Sequence, residues 1–501
     1  MKLQFHNQRT KHIDVFEPLQ ADKVRLYTCG PTVYSSPHIG NWASNIYWDT
    51  LVRVLQAHAF EVTRVMNITD VGHLVSDADE GEDKLEKGAK REGKTAWEVA
   101  QMYTDEFMRG MADLNLITPT FTPRATEYIE PQLELVRVLK DKGYTYQISD
   151  GIYYDTSKFP TYGDFAELDI EAQKAGARVE FNPEKHHVSD FALWKFTPAG
   201  ETRDMEWDTP ADLLEGGDAA QPRRGFPGWH LECSAMAMSL LGPTIDIHTG
   251  GIDHIPVHHT NEIAQSEAAS GVRFANYWLH NNHLKVEGTK ISKSLGNGYT
   301  LQDIKDRGFS PLDLRLLVLQ SHYRTEGNFS FDNLVAARNR RLHWRNVAAL
   351  RHQIHDTLQS DVATEQDSRT VSLYAASQAI LEALSDDLRT AEGVALIDQA
   401  FDDVLTQKPS EVHHHAFISL LETIDQLYGL ALLETTPDIS DADKQRIIAR
   451  TRAREQKDYA RSDELRAELA QSGISVRDTP SGPIWEYLDT ATNENESNET
   501  L

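Results

Sequence analysis

The chain has only two cysteines, and each lies in a segment whose residue types could do chemistry. Cys29 is part of residues 27–34 (YTCGPTVY), and Cys233 is part of residues 228–236 (GWHLECSAM). A thiolate is a good ligand for zinc, so both positions are candidates for metal binding. A lone cysteine is also a common small residue of a protein core, so the thiols alone do not decide between the two roles.

A histidine and a glutamate extend this set to four. Residues 256–262 (PVHHTNE) place His258 four positions before Glu262, which on a helix puts both side chains on one face. Two thiolates, an imidazole and a carboxylate are the ligand types of a four-coordinate zinc site. The same His/Glu spacing is common on a solvated helix face, and Cys29 and Cys233 are far apart in sequence. Spacing alone therefore leaves both interpretations open.

Two further segments have the composition of phosphate-binding elements. Residues 290–294 (KISKS) form a small polar loop in which Lys290 and Lys293 could hold the charge of a triphosphate. The serines and the glycine that follows would let the backbone approach phosphates closely. Alone, such a stretch is more often a plain exposed loop. Together with residues 38–41 (HIGN), which follow an expected strand, it predicts a nucleotide site.

The first of these segments is expected to lie between a strand and a helix. Residues 24–29 alternate apolar and polar side chains, which predicts a strand that ends at the following Gly-Pro pair. Residues 46–55 (IYWDTLVRVL) have helical apolar spacing, so residues 38–41 would lie near a helix N-terminus, where free amides and the helix dipole favour polyphosphate. Residues 61–69 predict a second strand. This β-α-β order is typical of a doubly wound parallel sheet.

The sheet is expected to be interrupted by an insertion. Residues 84–114 are charged and helical in pattern, and residues 120–225 are rich in aromatics, Pro and Asp, as in an inserted domain. We expect the sheet to resume over residues 225–236 and to continue at residues 244–248. Beyond the lysine loop, the sequence predicts helices over 301–345 and a helix bundle over 346–435.

Composition restricts the class of protein. The chain has 501 residues, enough for several domains, and two cysteines in such a length exclude a disulfide framework and suit a reducing compartment. The first residues lack the apolar core of a signal peptide, and no apolar run is long enough to span a bilayer, so we expect a cytoplasmic protein without a membrane segment. A formal net charge of −27 argues against nucleic-acid binding unless basic residues are concentrated locally.

Two local concentrations of basic residues are present. One follows helical spacing and predicts a single stripe on one helix, and the other surrounds Trp344. Such stripes could follow a phosphate backbone, whereas nearby acidic residues favour a plain solvated helix, and charge alone leaves both interpretations open. The first stripe consists of Arg446, Arg450, Arg454, Lys457 and Arg461, flanked by Lys444 and Arg452, and the second of Arg338, Arg340, Arg341 and Arg345.

Taken together, these segments resemble the class I aminoacyl-tRNA synthetases. The cysteine-bearing strand end, the Gly-Trp-His-x-Glu-Cys segment and the His-His-x-Asn-Glu segment narrow the resemblance to the cysteinyl-tRNA synthetase family, from the first strand to about Trp485. Residues 386–390 (DDLRT) resemble a helix-bundle signature of that family. The resemblance implies an α/β fold, with a Rossmann-like doubly wound parallel sheet, an inserted domain, a C-terminal helix bundle and a small terminal domain.

The resemblance also implies domain boundaries. We expect the first half of the catalytic domain at 1–119, an inserted connective domain at 120–224, the second half of the catalytic domain at 225–300, a helical stem-contact region at 301–345, a helical bundle on the anticodon side of tRNA at 346–435, a small tRNA-binding domain at 436–489, and a disordered tail at 490–501.

By this resemblance the activity is activation of L-cysteine with ATP and transfer of cysteine to the 3′-terminal adenosine of tRNA(Cys). The implied cofactors are one Zn²⁺ per chain and Mg²⁺ with ATP, the partners are tRNA(Cys), ATP and L-cysteine, and the expected state is a monomer. The implied site residues are, for catalysis, His38, Asn41, Lys290 and Lys293; for ATP, Gly40, Gly251 and Asp253 with His38 and Lys293; for the amino acid, Cys29, Gly30, Thr69 and Trp229; and for zinc, Cys29, Cys233, His258 and Glu262.

Some positions depart from the family pattern or have plainer roles. Asn41 stands where many class I enzymes carry histidine, and Asn can donate hydrogen bonds but cannot be cationic. Three other histidines, His230, His254 and His259, are expected to pack beside the site and not to bind the metal.

Three alternatives to a tRNA synthetase remain open at this stage. A ligase of the same ancestry that joins cysteine to a small amine would share the metal and nucleotide segments but lack a long C-terminal RNA-binding region. A zinc hydrolase would explain the histidines, but the His-Glu-x-x-His pattern is absent and the phosphate segments would be unexplained. The third alternative is a non-enzymatic RNA-binding or regulatory protein descended from a synthetase. The intact set of candidate site residues argues against it.

Overall fold

The structure is a computed structural model, and its description covers most of the chain. None of the helices in this description combines the length and apolar composition needed to cross a bilayer. Lys293 and the tail at 490–501 lie outside the described residues. The described residues are 2–72, 83–168, 182–215, 223–292, 295–353, 367–480 and 482–488.

The chain opens with a hairpin followed by the predicted β-α-β unit. Its elements are β1 (Gln4–Asn7), β2 (His12–Val15), β3 (Lys23–Thr28), α1 (Ile39–Ala57) and β4 (Glu61–Met66). β3 and β4 pair in parallel along their whole length. α1 begins earlier than its apolar spacing predicts because His38 and Asn41 form a reciprocal capping box at its N-terminus. The N-terminal hairpin was not predicted.

The inserted region is built on its own sheet. It follows α2 (Lys84–Glu92) and α3 (Ala96–Asp113) and contains α4 (Ile129–Asp141), β5 (Thr145–Ile148), β6 (Gly151–Tyr154), β7 (Phe191–Phe196), β8 (Trp207–Asp208) and β9 (Arg224–Pro227). These strands form an antiparallel five-stranded sheet in the order β5-β6-β7-β9-β8. A separate apolar cluster from α4 and the strands supports this sheet.

The prediction that the parallel sheet resumes over residues 225–236 is wrong. β9 pairs with β7 and β8 of the inserted sheet, and a helix, α5 (Trp229–Leu241), begins directly after Gly228. A short apolar run does not by itself distinguish a strand from a buried helix, and this segment contains one after the other. Gly228 marks the change, because a Cβ there would lie 2.0 Å from the carbonyl oxygen of Ala192.

The parallel sheet resumes with β10, which contains the predicted strand at residues 244–248 apart from Thr244. The elements are β10 (Ile245–Gly251), a π-helical segment (Ile255–His259), α6 (Thr260–Ser270) and β11 (Ala275–Asn281). The order of the four parallel strands is β11-β10-β3-β4. The chain crosses from β3 to β4 on one side, whereas β10 lies on the other. Ligands of such sheets bind outside the carboxyl ends at this switch point.

The part of the chain between β11 and the final unit is almost entirely helical where the structure describes it, and helices were predicted over 301–435. Its elements are β12 (Leu284–Val286), α7 (Leu301–Asp306), α8 (Pro311–Leu319), β13 (Gly327–Phe329), α9 (Phe331–Ala349), α10 (Ser368–Ser385), α11 (Thr390–Thr406) and α12 (His414–Tyr428). Its two strands, β12 and β13, pair in parallel next to the lysine loop. The main apolar core runs from α1 and α3 through α8 and α9 into this bundle.

The final unit shows that the predicted single basic stripe is wrong. Its elements are α13 (Asp441–Glu455), α14 (Tyr459–Gln471), β14 (Ile474–Thr479) and β15 (Gly482–Tyr487). Lys457 lies between the two helices with a φ of 61°, so the helical spacing does not continue through it. Arg450 and Arg454 both pair with Asp478, and Arg461 pairs with Glu464. Most of this stripe is therefore balanced by carboxylates.

The arginines around Trp344 are also engaged within the fold. Arg341 is buried against Asp313 at 2.6 Å, and Arg340 lies 3.3 Å from Asp398. The buried Trp344 indole donates to the same Asp398 carboxylate at 2.7 Å. This cluster ties α9 to α8 and α11.

Candidate functional site

A large cleft lies at the carboxyl ends of the parallel strands. Its volume is about 790 Å³, and it is bounded by the segments that follow β3, β4 and β10, by the start of α1 and by the lysine loop. Most of the residues that the sequence singled out line it: Cys29, Gly30, His38, Asn41, Thr69, Trp229, Cys233, Gly251 and His258.

One wall of the cleft holds the sulfur-containing cluster. Cys29 directly follows β3, Cys233 lies on α5, and His258 and Glu262 lie on either side of the junction between the π-helical segment and α6. One ligand atom from each of these four residues lies within 4.8 Å of the others. The structure therefore brings together two cysteines that are distant in sequence, and this donor set fits zinc.

Glu262 occupies the centre of the buried side of this cluster. His258 Nε2 lies 3.0 Å from Glu262 Oε1, and His248 Nε2 lies 2.8 Å from Glu262 Oε2. His230 contacts the other ring nitrogen of His258, with 3.0 Å between the Nδ1 atoms of the two rings. These contacts fix the orientation of both predicted ligands, as supporting hydrogen bonds do in metal sites.

A second set of four donors shares two members with the first. Cys29, His248, His259 and Glu262 also have ligand atoms within 4.8 Å of one another, and His259 Nε2 lies 3.3 Å from Cys29 Sγ. Unlike Cys233 and His258, His248 and His259 do not line the cleft. A cation held by the first set would therefore be reachable by a ligand in the cleft, whereas the second set surrounds a more enclosed position.

Burial and charge perturb the titration of the cluster. Burial alone would lower the pKa of His258, but the Glu262 carboxylate and hydrogen bonds with Cys233 and Glu262 raise that pKa to about 10. Burial would raise the pKa of Glu262, but His248 and His258 hold it well below its usual range. A hydrogen bond with Cys29 and burial raise the pKa of Cys233.

The pKa of Cys29 is raised as well. A hydrogen bond from Cys233 lowers it, but burial and the Glu262 charge outweigh that effect. Without a cation both thiols therefore retain their protons at neutral pH, and a divalent cation would have to displace them.

The loop after β3 is tied to the loop after β4 by an asparagine that sequence reasoning missed. Asn67 Oδ1 accepts from the backbone N–H of Gly30 at 2.9 Å, and its Nδ2 donates to Thr69 Oγ1 at 2.9 Å. A Cβ on Gly30 would lie 1.7 Å from the Asn67 carbonyl oxygen, so only glycine fits there. The position of Asn67 at the carboxyl end of a predicted strand was the available signal.

The start of α1 also lines the cleft. His38 Nδ1 accepts from the backbone N–H of Asn41 at 3.3 Å, and Asn41 Oδ1 accepts from the His38 N–H at 3.0 Å. In a neutral ring, Nδ1 as acceptor places the proton on Nε2. A Cβ on Gly40 would lie 3.1 Å from both the His38 ring and Ile291 Cδ1, so this glycine lets the lysine loop approach.

The lysine loop contacts the end of β10. Ile291 and Ser292 line the cleft, whereas Lys290 Nζ lies 3.2 Å from an oxygen of the exposed Asp253. His283 Nε2 lies 3.3 Å from the other oxygen of Asp253. Asp253, predicted to bind ATP, and Lys290, predicted to act in catalysis, therefore face each other beside the cleft. His283 was not predicted.

Trp229, His254 and His259 pack around the sulfur-containing cluster. Trp229 lines the cleft with its ring centroid 4.8 Å from that of His258. His254 packs beside the histidines, and burial together with the charge of His258 lowers its pKa to about 3. His259 packs there as expected and also contacts Cys29, which the sequence did not indicate.

Two family models match the chain. The catalytic-domain model of class I tRNA synthetases of the cysteine type matches residues 15–339. The model of the cysteinyl-tRNA ligase anticodon-binding domain matches residues 436–485. The first match spans both halves of the parallel sheet and the insertion, and the second coincides with the final unit.

Full-length relatives and solved structures agree with these matches. A cysteine–tRNA ligase 1 of Burkholderia lata is 40% identical and a cysteine–tRNA ligase of Treponema denticola 36% identical, covering 96% and 97% of this chain and 96% and 100% of theirs. Methionyl-tRNA synthetase of Mycobacterium tuberculosis with methionyl-adenylate shares the fold with a TM-score of 0.57 at 14% identity, covering 82% of this chain and 92% of that one. The chain therefore belongs to the cysteinyl-tRNA ligase family of class I aminoacyl-tRNA synthetases.

Proposed function

We propose that this enzyme activates L-cysteine with ATP to form cysteinyl-adenylate and then transfers cysteine to the 3′-terminal adenosine of tRNA(Cys). The observation that carries this proposal is the composition of the cleft, in which the sulfur-containing cluster and both phosphate-binding segments line one cavity. A thiol-bearing amino acid and the triphosphate of ATP can therefore bind side by side.

The sulfur-containing cluster supports recognition of the substrate through a metal ion. Cys29, Cys233, His258 and Glu262 would hold one Zn²⁺, which when bound would supply a soft Lewis acid that prefers a thiolate to the hydroxyl of serine. An apolar pocket distinguishes side chains of such similar size by only about 1–3 kcal/mol. Trp229 and Thr69 would form the walls that orient the amino acid, because both line the cleft beside the cluster.

The start of α1 and the lysine loop would bind the nucleotide. His38 would donate from Nε2 to phosphate oxygens, Asn41 and the N-terminal amides of α1 would support it, and Gly40 and Gly251 would let the nucleotide approach the backbone. Lys290 and Lys293 would neutralise the leaving pyrophosphate together with Mg²⁺. Attack of the cysteine carboxylate on the α-phosphate needs positioning and charge stabilisation and no covalent nucleophile.

Asp253 would serve two states of the site. In the structure it pairs with Lys290 and lies beside His283. On nucleotide binding, Lys290 would turn to the phosphates, and the Asp253 carboxylate would then accept from ribose hydroxyls. The exposure of both side chains makes this exchange inexpensive, because exposed ion pairs are worth about 0–1 kcal/mol.

The C-terminal half supports tRNA as the acceptor. The final unit, matched by an anticodon-binding domain, exposes 61% of Tyr459 at the start of α14. An exposed aromatic ring next to Lys457 and Arg461 is suited to stack on a base while cations face phosphates. This region is long and folded, which favours tRNA over a small amine as the cysteine acceptor. A cytoplasmic location and a monomeric state remain predictions.

The proposal is tested by cysteine-dependent ATP–pyrophosphate exchange followed by charging of tRNA. We expect exchange with cysteine but not with serine, and transfer of labelled cysteine to tRNA in the same preparation. Exchange without transfer to tRNA would favour the small-amine ligase, and absence of exchange would favour the non-enzymatic protein. Hydrolysis of a peptide or ester substrate with no exchange would favour the hydrolase.

A further inference from the structure

The turn between α10 and α11 contains a buried carboxylate that joins three parts of the chain. This turn is residues 386–390, the segment that resembles a bundle signature, and Asp387 within it is 2% exposed. Asp387 Oδ1 accepts from the Tyr323 hydroxyl at 2.6 Å and from the backbone N–H of His6 at 2.8 Å. Asp387 Oδ2 accepts from Arg324 Nε at 2.8 Å and from its terminal nitrogen at 2.6 Å.

The backbone of this turn is held by the same neighbours. His322 Nε2 donates to the carbonyl oxygen of Asp387 at 2.8 Å, and the Asp387 N–H donates to the Gln4 carbonyl oxygen at 2.9 Å. Asp387 and Leu388 have φ values of 57° and 51°, a conformation that non-glycine residues rarely adopt twice in succession. Such a backbone persists where surrounding contacts determine it.

Three of the residues that bind Asp387, namely His322, Tyr323 and Arg324, belong to a segment that also contacts the end of the parallel sheet. We name residues 321–329 the connecting segment. The backbone N–H of Asn282 donates to the Tyr323 carbonyl oxygen at 2.7 Å, and Asn282 Nδ2 donates to the Arg324 carbonyl oxygen at 3.1 Å. Asn282 directly follows β11. The connecting segment is therefore held by the bundle on one side and by the catalytic sheet on the other.

The far end of the connecting segment forms the base of the lysine loop. β13 pairs with β12, from Leu284 opposite Gly327 to Val286 opposite Phe329. The N–H of Glu287 donates to the Phe329 carbonyl oxygen at 3.0 Å, and the N–H of Gly288 donates to Asn328 Oδ1 at 2.7 Å. Lys290 follows two residues later. Asp387 is thus linked to the base of this loop through its hydrogen bonds with Tyr323 and Arg324, through the connecting segment and through the pairing of β13 with β12.

We propose that Asp387 is a positioning residue for ATP activation, which fixes the connecting segment and through it the base of the loop that carries Lys290. The inference rests on the proposed function, because it concerns delivery of Lys290 to the phosphates of ATP. It assigns the bundle turn a role in the first reaction, although the turn lies outside the cleft lining.

The test is cysteine-dependent ATP–pyrophosphate exchange with the full, zinc-loaded chain. Asp387→Asn removes the charge that orients Arg324, and we expect it to lower kcat/KM for ATP about tenfold. The matched control is Asp386→Asn, which makes the same change one residue earlier, where the carboxylate contacts Gln4 and Arg389 but not the connecting segment. This control should stay within about twofold of the wild type.

A double-mutant cycle separates positioning of the loop from a general structural effect. If Asp387 acts through Lys290, its substitution should cost at most about twofold in a Lys290→Ala background, because the group that it positions is already gone. Multiplication of the two single effects in Asp387→Asn/Lys290→Ala would overturn the inference. Equal effects of Asp387→Asn and Asp386→Asn would also overturn it.

A milder variant keeps the test decisive if Asp387→Asn does not fold. Tyr323→Phe removes one hydrogen bond to Asp387 and leaves the ring in place, so we expect a loss of about threefold that likewise disappears in the Lys290→Ala background. A wild-type protein without cysteine-dependent exchange would overturn the proposed function and this inference with it. Exchange in the wild type with multiplicative losses would overturn this inference alone.

Discussion

His258 Nε2 lies 3.0 Å from Glu262 Oε1, and both side chains are buried at the edge of the cleft. The helix changes from π to α geometry between these two residues, and single-turn π segments are common at functional sites. The contact makes the pair a unit whose imidazole and carboxylate face the two thiols.

Cys233→Ala should remove the metal and, with it, selectivity for cysteine. Loss of one of four ligands should weaken zinc binding by at least about 100-fold, because even supporting contacts of a metal site are worth 10–100-fold. Zinc content by elemental analysis and cysteine-dependent exchange would be measured together. The control is Ser234→Ala, a buried neighbour on α5 that is not in either donor set. Full zinc content in Cys233→Ala would show that the assignment is wrong.

His258→Gln and His259→Gln should behave differently if the cation is held by the donor set that faces the cleft. The first should lose zinc and activity, whereas the second should keep most of its zinc and lose the contacts that His259 makes with Cys29 and His280. We expect at least about a tenfold difference in zinc affinity between the variants. The reverse order would instead place the cation in the set formed by Cys29, His248, His259 and Glu262.

Zinc affinity should rise with pH. The pKa values of Cys29 and Cys233 are raised above their ordinary values, and the pKa of His258 is raised to about 10, so these groups are protonated at neutral pH without a metal. Binding must release more than one proton, and affinity should therefore increase by about tenfold or more for each pH unit between 6 and 8. Competition with a chelator at several pH values measures this slope, and a flat profile would contradict the protonated ground state.

Lys290→Ala should slow adenylate formation while zinc stays bound. The lysine would neutralise charge that develops on the leaving pyrophosphate, so its loss should cost about 100-fold in exchange. Lys293→Ala should have a similar effect. Lys305→Ala, which removes an ammonium group paired with Asp113 outside the cleft, is the matched control. Unchanged exchange in both loop variants would show that this loop does not bind the triphosphate.

Tyr459→Ala should impair tRNA charging without changing cysteine activation. Stacking of a base on an aromatic ring is worth about 1–3 kcal/mol, so KM for tRNA should rise by roughly tenfold. Tyr459→Phe keeps the ring and should restore normal charging. If the Tyr459→Ala variant charges tRNA with the KM of the wild type, the exposed ring does not contact the tRNA.

Local spacing explains what the sequence could predict. The β-α-β opening and the position of His38 at a helix N-terminus follow from short-range periodicity, and the structure confirms both. His258 and Glu262 share a face because they lie four positions apart on continuous helix. The meeting of Cys29 with Cys233 depends on how β3 and α5 pack, so spacing could not predict it, and only the family resemblance indicated it.

The predictions that the structure contradicts, and the residue that was missed, have equally local causes. The segment from Gly225 onward contains a short strand and then a buried helix, and both have similar apolar patterns. The basic stripe was extended through Lys457, whose left-handed backbone carries no glycine to mark the break. Asn67 was missed because its role lies in contacts with two different loops and not in a motif.

The most direct test of the central claim is charging of total tRNA with labelled cysteine and, in parallel, labelled serine, with ATP present. The enzyme would be assayed as prepared, after metal removal and after restoration of zinc. We predict that only cysteine is transferred to tRNA, that transfer falls on metal removal and that it returns with zinc. Transfer of serine at a comparable rate, or cysteine transfer that is indifferent to the metal, would contradict recognition of the thiol by the Cys29, Cys233, His258 and Glu262 cluster.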